Sequence, residues 1–349
     1  MLTHSTIGDA LLTQLDEITG NAILDADRQG GLLFAYHFSP MGLQAANSFK
    51  ELAQLQKQEG FLWVHLDLES EVAVDWLESL EIDPEIAHVL CARVRRGQIR
   101  VDEEHIYGHL HDIRDHVGDH VLRASPMAFY ATKNYFVTGE HEGLRALKNL
   151  QRNILQRKIT PKDPADMICA FLGALNEMGD SLMSIFNQRL ATVEAKVLQR
   201  EGKGEREHLM AMRANALSLI RHISFKRVTM QEVVRDRPPI MSTSSFSRFK
   251  GQWELYGALI DEAQAFADQC QMLLYELRTQ AEEDTGRTLY VLTVISALFL
   301  PGSLLGALWG MNVDDIPFQT GEHGFWLVSA IIVLLVALLV LLMRWLRIV

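Results

Sequence analysis

Two stretches near the C-terminal end carry no charged residue: 288–309 (TLYVLTVISALFLPGSLLGALW) and 325–343 (FWLVSAIIVLLVALLVLLM). A helix crosses the hydrocarbon of a bilayer with about 20 apolar residues. In lipid its backbone groups must be satisfied within the segment itself. Each stretch therefore predicts a spanning helix, and everything before residue 287 must form structure outside the lipid. Residues 310–324 make a short polar loop between the spans, and 344–349 follow the second.

The flanks predict the orientation. Arg287 precedes the first span, Arg344 and Arg347 follow the second, and the loop 310–324 has no Lys or Arg. Positive residues stay on the cytoplasmic side, so both termini are expected in the cytoplasm and the loop outside. Formal charge over the 349 residues is -11. The three arginines balance Asp314, Asp315 and Glu322, so the acidic excess lies in residues 1–286. That balance argues against nucleic acid and favours cationic partners, although plain solubility produces the same sign. Cys91, Cys169 and Cys270 are far apart and form no C-x-x-C, as in a reducing compartment. No basic-then-apolar leader marks the first thirty residues. The motifs G-x-x-x-x-G-K-[ST], H-E-x-x-H and G-x-S-x-G are missing, so no enzyme is expected.

Residues 1–163 read as an α/β domain. Short aromatic and branched runs at 31–38, 61–68, 105–113, 127–132 and 135–139 predict strands, and 47–59, 72–80 and 84–94 have helical spacing. Asp83 followed by Pro84 is a helix start, and the segment 160–164 (TPKDP) is a boundary. Residues 164–240 predict a helical hairpin, with helices over 164–199 and 205–236 about a glycine turn at Gly202 and Gly204. From 246 to 309 helical periodicity runs without a break into the first span. A single helix of that length would measure about 95 Å at 1.5 Å per residue, so it is read as a stalk.

Within the stalk, Glu254, Asp261, Asp268, Tyr275, Glu282, Leu289, Ser296 and Ser303 recur every seventh residue. An acidic stripe thus continues as a hydroxyl stripe in the span, provided the helices supercoil enough to cancel a drift of about 20° per heptad. A second stripe, Leu255, Leu259, Phe266, Leu273 and Leu277, is expected to pack. Thr293, Ser296, Leu300 and Ser303 lie on one face of the span. Such hydroxyls also glue helices together, and acidic faces are also simply solvated. Pro301 and Gly302 should bend or loosen the span. Five histidines crowd 105–120, and on a strand His109 and His111 share a face while Asp112 takes the other. Imidazole and carboxylate suit zinc; the alternative is the polar face of an edge hairpin.

Pro301, the run Trp309, Gly310, Met311, Asn312, a short acidic loop, a second span and a basic tail resemble the CorA superfamily of divalent-cation transport proteins. The loop from Gly310 to Pro317 looks more like its ZntB zinc-transport branch: magnesium-channel members carry Met-Pro-Glu-Leu where this chain has Ile316, Pro317 and Phe318. Asp314 and Asp315 stand where that branch commonly has glycine. The resemblance implies a homopentamer in the bacterial inner membrane, with five first spans lining one pore. It implies that Asn312 offers its amide oxygen to a hydrated cation at the outer mouth, that Gly310 lets the backbone turn there, and that Met311 packs the corner. Below them Ser303, Leu300, Ser296, Thr293 and Leu289 would line the pore. Neutral oxygens holding first-shell waters suit ions that dehydrate reluctantly, and Asp314, Asp315 and Glu322 would concentrate cations outside. The expected cargo is Zn2+, with Cd2+, Co2+, Ni2+ or Mg2+ as further substrates and no resident cofactor. Proton-linked uptake is implied, although neither span holds an ionisable relay. Two alternatives remain: a magnesium or cobalt channel sensed by Glu254, Asp261, Asp268 and Glu282 in a cytoplasmic funnel, or a sensor that the spans merely tether.

Overall fold

A computed structural model describes residues 30–80, 82–92, 97–113, 124–141, 144–202, 204–311 and 323–345. These fall into two compact units divided between Leu274 and Tyr275.

The first unit is built on a seven-stranded sheet. Its strands are β1 Leu32–Ser39, β2 Gly42–Ala46, β3 Phe61–Asp67, β4 Gln98–Val101, β5 Ile106–Ile113, β6 Ala124–Ala131 and β7 Tyr135–Glu140. The spatial order is β2-β1-β3-β7-β6-β5-β4. Every pairing is antiparallel except β3 with β7, where Val64 lies opposite Val137. That parallel pair needs a crossover, and the chain between its strands supplies it. β3 is an inner strand, buried on both faces, which is why its sequence reads as a continuous apolar run.

Alternate β3 residues serve two layers. Leu62, Val64 and Leu66 pack with Leu52, Leu55, Ala73, Leu77, Ile86 and Leu90, which come from α1 Phe49–Leu55, α2 Glu71–Glu78 and α3 Pro84–Cys91. On the opposite face Trp63 meets the rings of Phe34, Tyr36 and Phe136 and donates to Thr138 Oγ1 at 3.1 Å. His65 lies in the same row, with Nδ1 at 3.0 Å from Thr138 Oγ1 and Nε2 at 3.4 Å from Glu140. This face is covered by α4 Arg145–Leu155 and by α5 Pro164–Leu198, which packs on β3, β6 and β7. Two helix starts share one device: Asp83 and Asp163 accept from Glu85 N and Asp166 N, each with Pro as the next residue.

The helix α6 Glu205–Arg235 returns alongside α5, and α7 Thr243–Trp309 follows. α7 runs parallel to α5. Cys169 pairs with the Ser245 carbonyl, Gly179 meets Leu259, and Phe186 stacks on Phe266 at 5.5 Å. The buried face of α7 is Phe249, Tyr256, Leu259, Ala263, Phe266, Cys270 and Leu273, a coiled-coil-like heptad seam. The expected packing stripe holds at Leu259, Phe266 and Leu273, but Leu277 is only partly covered and Leu255 faces out. Leu255 is 50% exposed, and Tyr256 takes the inward place, its hydroxyl donating to the Leu172 carbonyl at 3.0 Å.

The second unit contains the rest of α7 and α8 Gly324–Trp345. Both helices are long and apolar enough to cross a membrane. The α7 residues 281–293 are exposed throughout.

Candidate functional site

The span portion of α7 has two distinct faces. Val294, Leu298, Pro301, Gly302, Leu305 and Trp309 are partly covered, and a Cβ at Gly302 would lie 3.6 Å from Ile332 of α8. At 100° per residue these positions form one stripe. Leu289, Thr293, Ser296, Leu300 and Ser303 are all exposed and centre roughly half a turn away. The second span therefore covers the opposite side of the first and leaves the hydroxyl face open.

The hydroxyl chemistry is directional. Thr293 Oγ1 donates to the Leu289 carbonyl at 2.8 Å, and Ser303 Oγ donates to the Leu300 carbonyl at 2.9 Å. With its proton spent on its own helix, each oxygen turns only lone pairs outward. An acceptor-only surface of neutral oxygens suits a cation or its hydration water. Pro301 lies between them and withdraws one backbone donor from the helix ladder.

At its end α7 closes tightly, with Gly310 N donating to Gly306 O at 3.0 Å and Met311 N to Leu308 O at 3.4 Å. Met311 is half exposed. Asn312, Asp314, Asp315 and Glu322 lie outside the described residues. Aromatic residues mark the ends of both apolar helices: Tyr290 and Trp309 on α7, Phe325, Trp326 and Trp345 on α8. Such rings favour the membrane-water interface.

Lower on α7, Glu254, Asp261, Asp268, Tyr275 and Glu282 are exposed at every position, on the side away from the heptad seam. Glu282 accepts from Arg278 one turn back at 2.8 Å, and Asp268 from Gln264 at 3.0 Å. The exposed Arg278 pair contributes little to stability. Glu254 borders a cleft of about 950 Å³ between α5 and α7, floored by Ala170, Gly173 and Gly251.

The histidines are arranged differently from a surface hairpin. β5 is an inner strand, since β4 forms the edge, and both His109 and His111 are buried. They do share a strand face. His109 has no hydrogen bond of good geometry on either ring nitrogen. Burial pushes its pKa down to about 4, partly offset by the nearby Leu90 and Ala92 backbone. His111 lies against His222 of α6, with ring centres 6.4 Å apart. Among the described residues no three His, Cys, Asp or Glu side chains converge to hold a metal ion.

One polar centre left no local trace in the sequence. Asp166, buried at the start of α5, accepts from Ser245 Oγ at 2.7 Å, from Lys162 N at 3.1 Å and from the Arg248 guanidinium. Burial alone would raise its carboxyl pKa, but the hydrogen bonds from Ser245 and Arg248 outweigh burial and hold it below the usual carboxylate range. This ties the first turns of α7 to the head of α5.

Comparison with known proteins follows the same architecture. A family model described as CorA-like Mg2+ transporter protein matches residues 58–346. The zinc transport protein ZntB of Yersinia pseudotuberculosis is 20% identical over 323 residues, 92% of this chain and 96% of that protein. The cobalt/magnesium transport protein CorA of Thermotoga maritima is 22% identical over 223 residues, 63% of this chain and 64% of that protein. The complete structure of the CorA magnesium transporter from Methanocaldococcus jannaschii shares the fold, with a TM-score of 0.75 at 16% identity over 89% of this chain and 96% of that one. The family match runs from just before β3 through both apolar helices, and the chain belongs to the family of CorA-like Mg2+ transporter proteins.

Proposed function

We propose that this protein carries divalent metal cations, zinc foremost, across the bacterial inner membrane into the cell, through a pore at the axis of a homopentamer. The observation that carries this reading is the open hydroxyl face of α7, opposite the side that α8 covers. In a lone chain, acceptor oxygens facing lipid would be a cost without a return. In a ring of five copies the same face lines a shared aqueous path. Ser303, Ser296 and Thr293 pass the hydrated ion inward, and Leu300 and Leu289 are apolar constrictions between them. Asn312, backed by Gly310 and Met311, captures the ion at the outer mouth, and Asp314, Asp315 and Glu322 enrich cations there. Both termini are cytoplasmic. The likeness to ZntB over 92% of this chain supports zinc.

A second reading has its own observation. Glu254, Asp261, Asp268 and Glu282 form an unbroken exposed stripe, suited to sensing magnesium or cobalt between subunits of a channel. Flux in reconstituted vesicles separates the two. Under the first reading zinc enters faster than magnesium and uptake responds to an imposed pH gradient, and Asn312→Ala abolishes entry while the assembled particle persists. Zinc flux in that variant equal to the parent's would refute the role of Asn312. Magnesium flux indifferent to pH would favour the channel.

A further inference from the structure

The cleft between α5 and α7 has two ends of opposite charge. Lys158 and Arg248 line one end, Glu177 and Glu254 the other. Arg248 is shared with Asp166 but keeps half its side chain exposed. Beyond the acidic end, Asp180 and Glu262 are also exposed, and burial and then the nearby Glu262 carboxylate push the Asp180 pKa up. Between the two ends the floor is Ala170, Gly173 and Gly251. A Cβ at Gly251 would meet nothing within 4 Å, so the floor has room for an apolar side chain from elsewhere.

The outer face of α6 carries the reverse order. Arg221, Val228 and Glu232 are exposed, Val228 at 63%. At 100° per residue the three lie within about 40° of one another. Contacts inside one copy give their heights along the bundle. Arg227 stacks on Trp253 at 4.3 Å, and Lys226 lies 6.0 Å from the Tyr256 ring centre. Counting from these along antiparallel helices, Glu232 is level with Arg248, Val228 with Gln252, and Arg221 with the turn from Leu259 to Glu262. Gly179 abuts Leu259, so Asp180 stands at the height of Arg221.

We infer that α6 of a second copy of this chain seats in the cleft, with Val228 over the small-residue floor, Arg221 toward Asp180 and Glu262, and Glu232 toward Lys158 and Arg248. The inference rests on the homopentamer proposed above and names the faces that close it. Rotation about an axis along α7 carries each residue to a neighbour at unchanged height, so adjacent copies must match level by level. Here basic, apolar and acidic levels of the cleft meet acidic, apolar and basic levels of α6. The contact joins two different faces, the heterologous kind that closes a ring, and its alternating charge fixes the register. Among the described residues neither Arg221 nor Asp180 has an ion-pair partner in its own copy.

The test uses the full chain in detergent. Val228 is exposed and Gly251 has open space, so Val228→Cys and Gly251→Cys leave the fold of one copy intact. With a short thiol cross-linker the doubly substituted chain should give a ladder of linked copies on a denaturing gel, and each single variant no more than the parent. Arg221→Glu sets like charges together and should raise the dissociated fraction about tenfold, read by light scattering. Adding Asp180→Lys should restore assembly. An assembled particle that gives no ladder, or an Arg221→Glu loss that is missing or is not recovered by Asp180→Lys, would overturn this contact while the homopentamer stands. A monomeric parent would overturn the homopentamer and this contact with it. Should Arg221→Glu fail to fold, the cross-linked ladder decides alone.

Discussion

Single residues decide how the head of the stalk helix is held. Asp166 brings together a hydroxyl, a backbone amide and a guanidinium from two segments. Asp166→Ala leaves the Lys162 amide and the Ser245 hydroxyl without their acceptor, and a loss of about 1–3 kcal/mol is expected, read by thermal unfolding of the full chain in detergent. The pH dependence has a defined sign. The folded-state pKa of Asp166 is depressed, so its contribution is present above the ordinary carboxylate range and lost as pH falls through the lowered value. Asp166→Asn should flatten that acid limb. None of this was legible in the sequence, where Asp166 reads as a first-turn helix acid and its partner Arg248 lies 82 residues away. Asp163 beside it was legible, because a capping acid followed by proline acts within one turn.

At the scale of elements, α5 and α7 approach closely at Gly179. A Cβ at Gly179 would come 2.4 Å from Leu259 Cδ2, and Leu259 is buried with nowhere to turn. Gly179→Val is expected to destabilise by about 1–3 kcal/mol through overpacking, and Leu259→Ala should recover part of that loss, as a double-mutant cycle by thermal unfolding would show. Elements were legible in proportion to how strictly their surroundings constrain them. Lipid demands uninterrupted apolar sequence, so both spans could be read directly. The heptad seam of α7 was legible at Leu259, Phe266 and Leu273, while Leu255 stood in for Tyr256 and Leu277 is only partly covered. β2 and β4 escaped because they are short edge strands: GLQAA has no β-branched residue, and QIRV is only four residues long. The helix α4 escaped although its signal was present, with Ala146, Leu147, Leu150 and Ile154 buried at helical spacing among basic and polar residues. The β3–β7 parallel pairing had no local signature, since it joins strands nearly seventy residues apart.

For the whole molecule, the two units divide the labour. The first holds the sheet, the hairpin and the braced part of α7; the second presents two apolar helices, with the hydroxyl face of the first left uncovered on the side opposite the second. The resemblance read from Gly310, Met311 and Asn312 located the family, and under the proposed function the exposed stripe on α7 is the side of the helix that an ion would meet. Cysteine accessibility in the assembled protein tests that side most directly. Single cysteines at positions 293, 296 and 303, and at 298 and 305, are placed in a chain lacking Cys91, Cys169 and Cys270 and treated with a membrane-impermeant cationic thiol reagent. Labelling at 293, 296 and 303 that zinc slows, with 298 and 305 unreactive, is the predicted result; labelling of 298 and 305 while 293, 296 and 303 stay silent would contradict it.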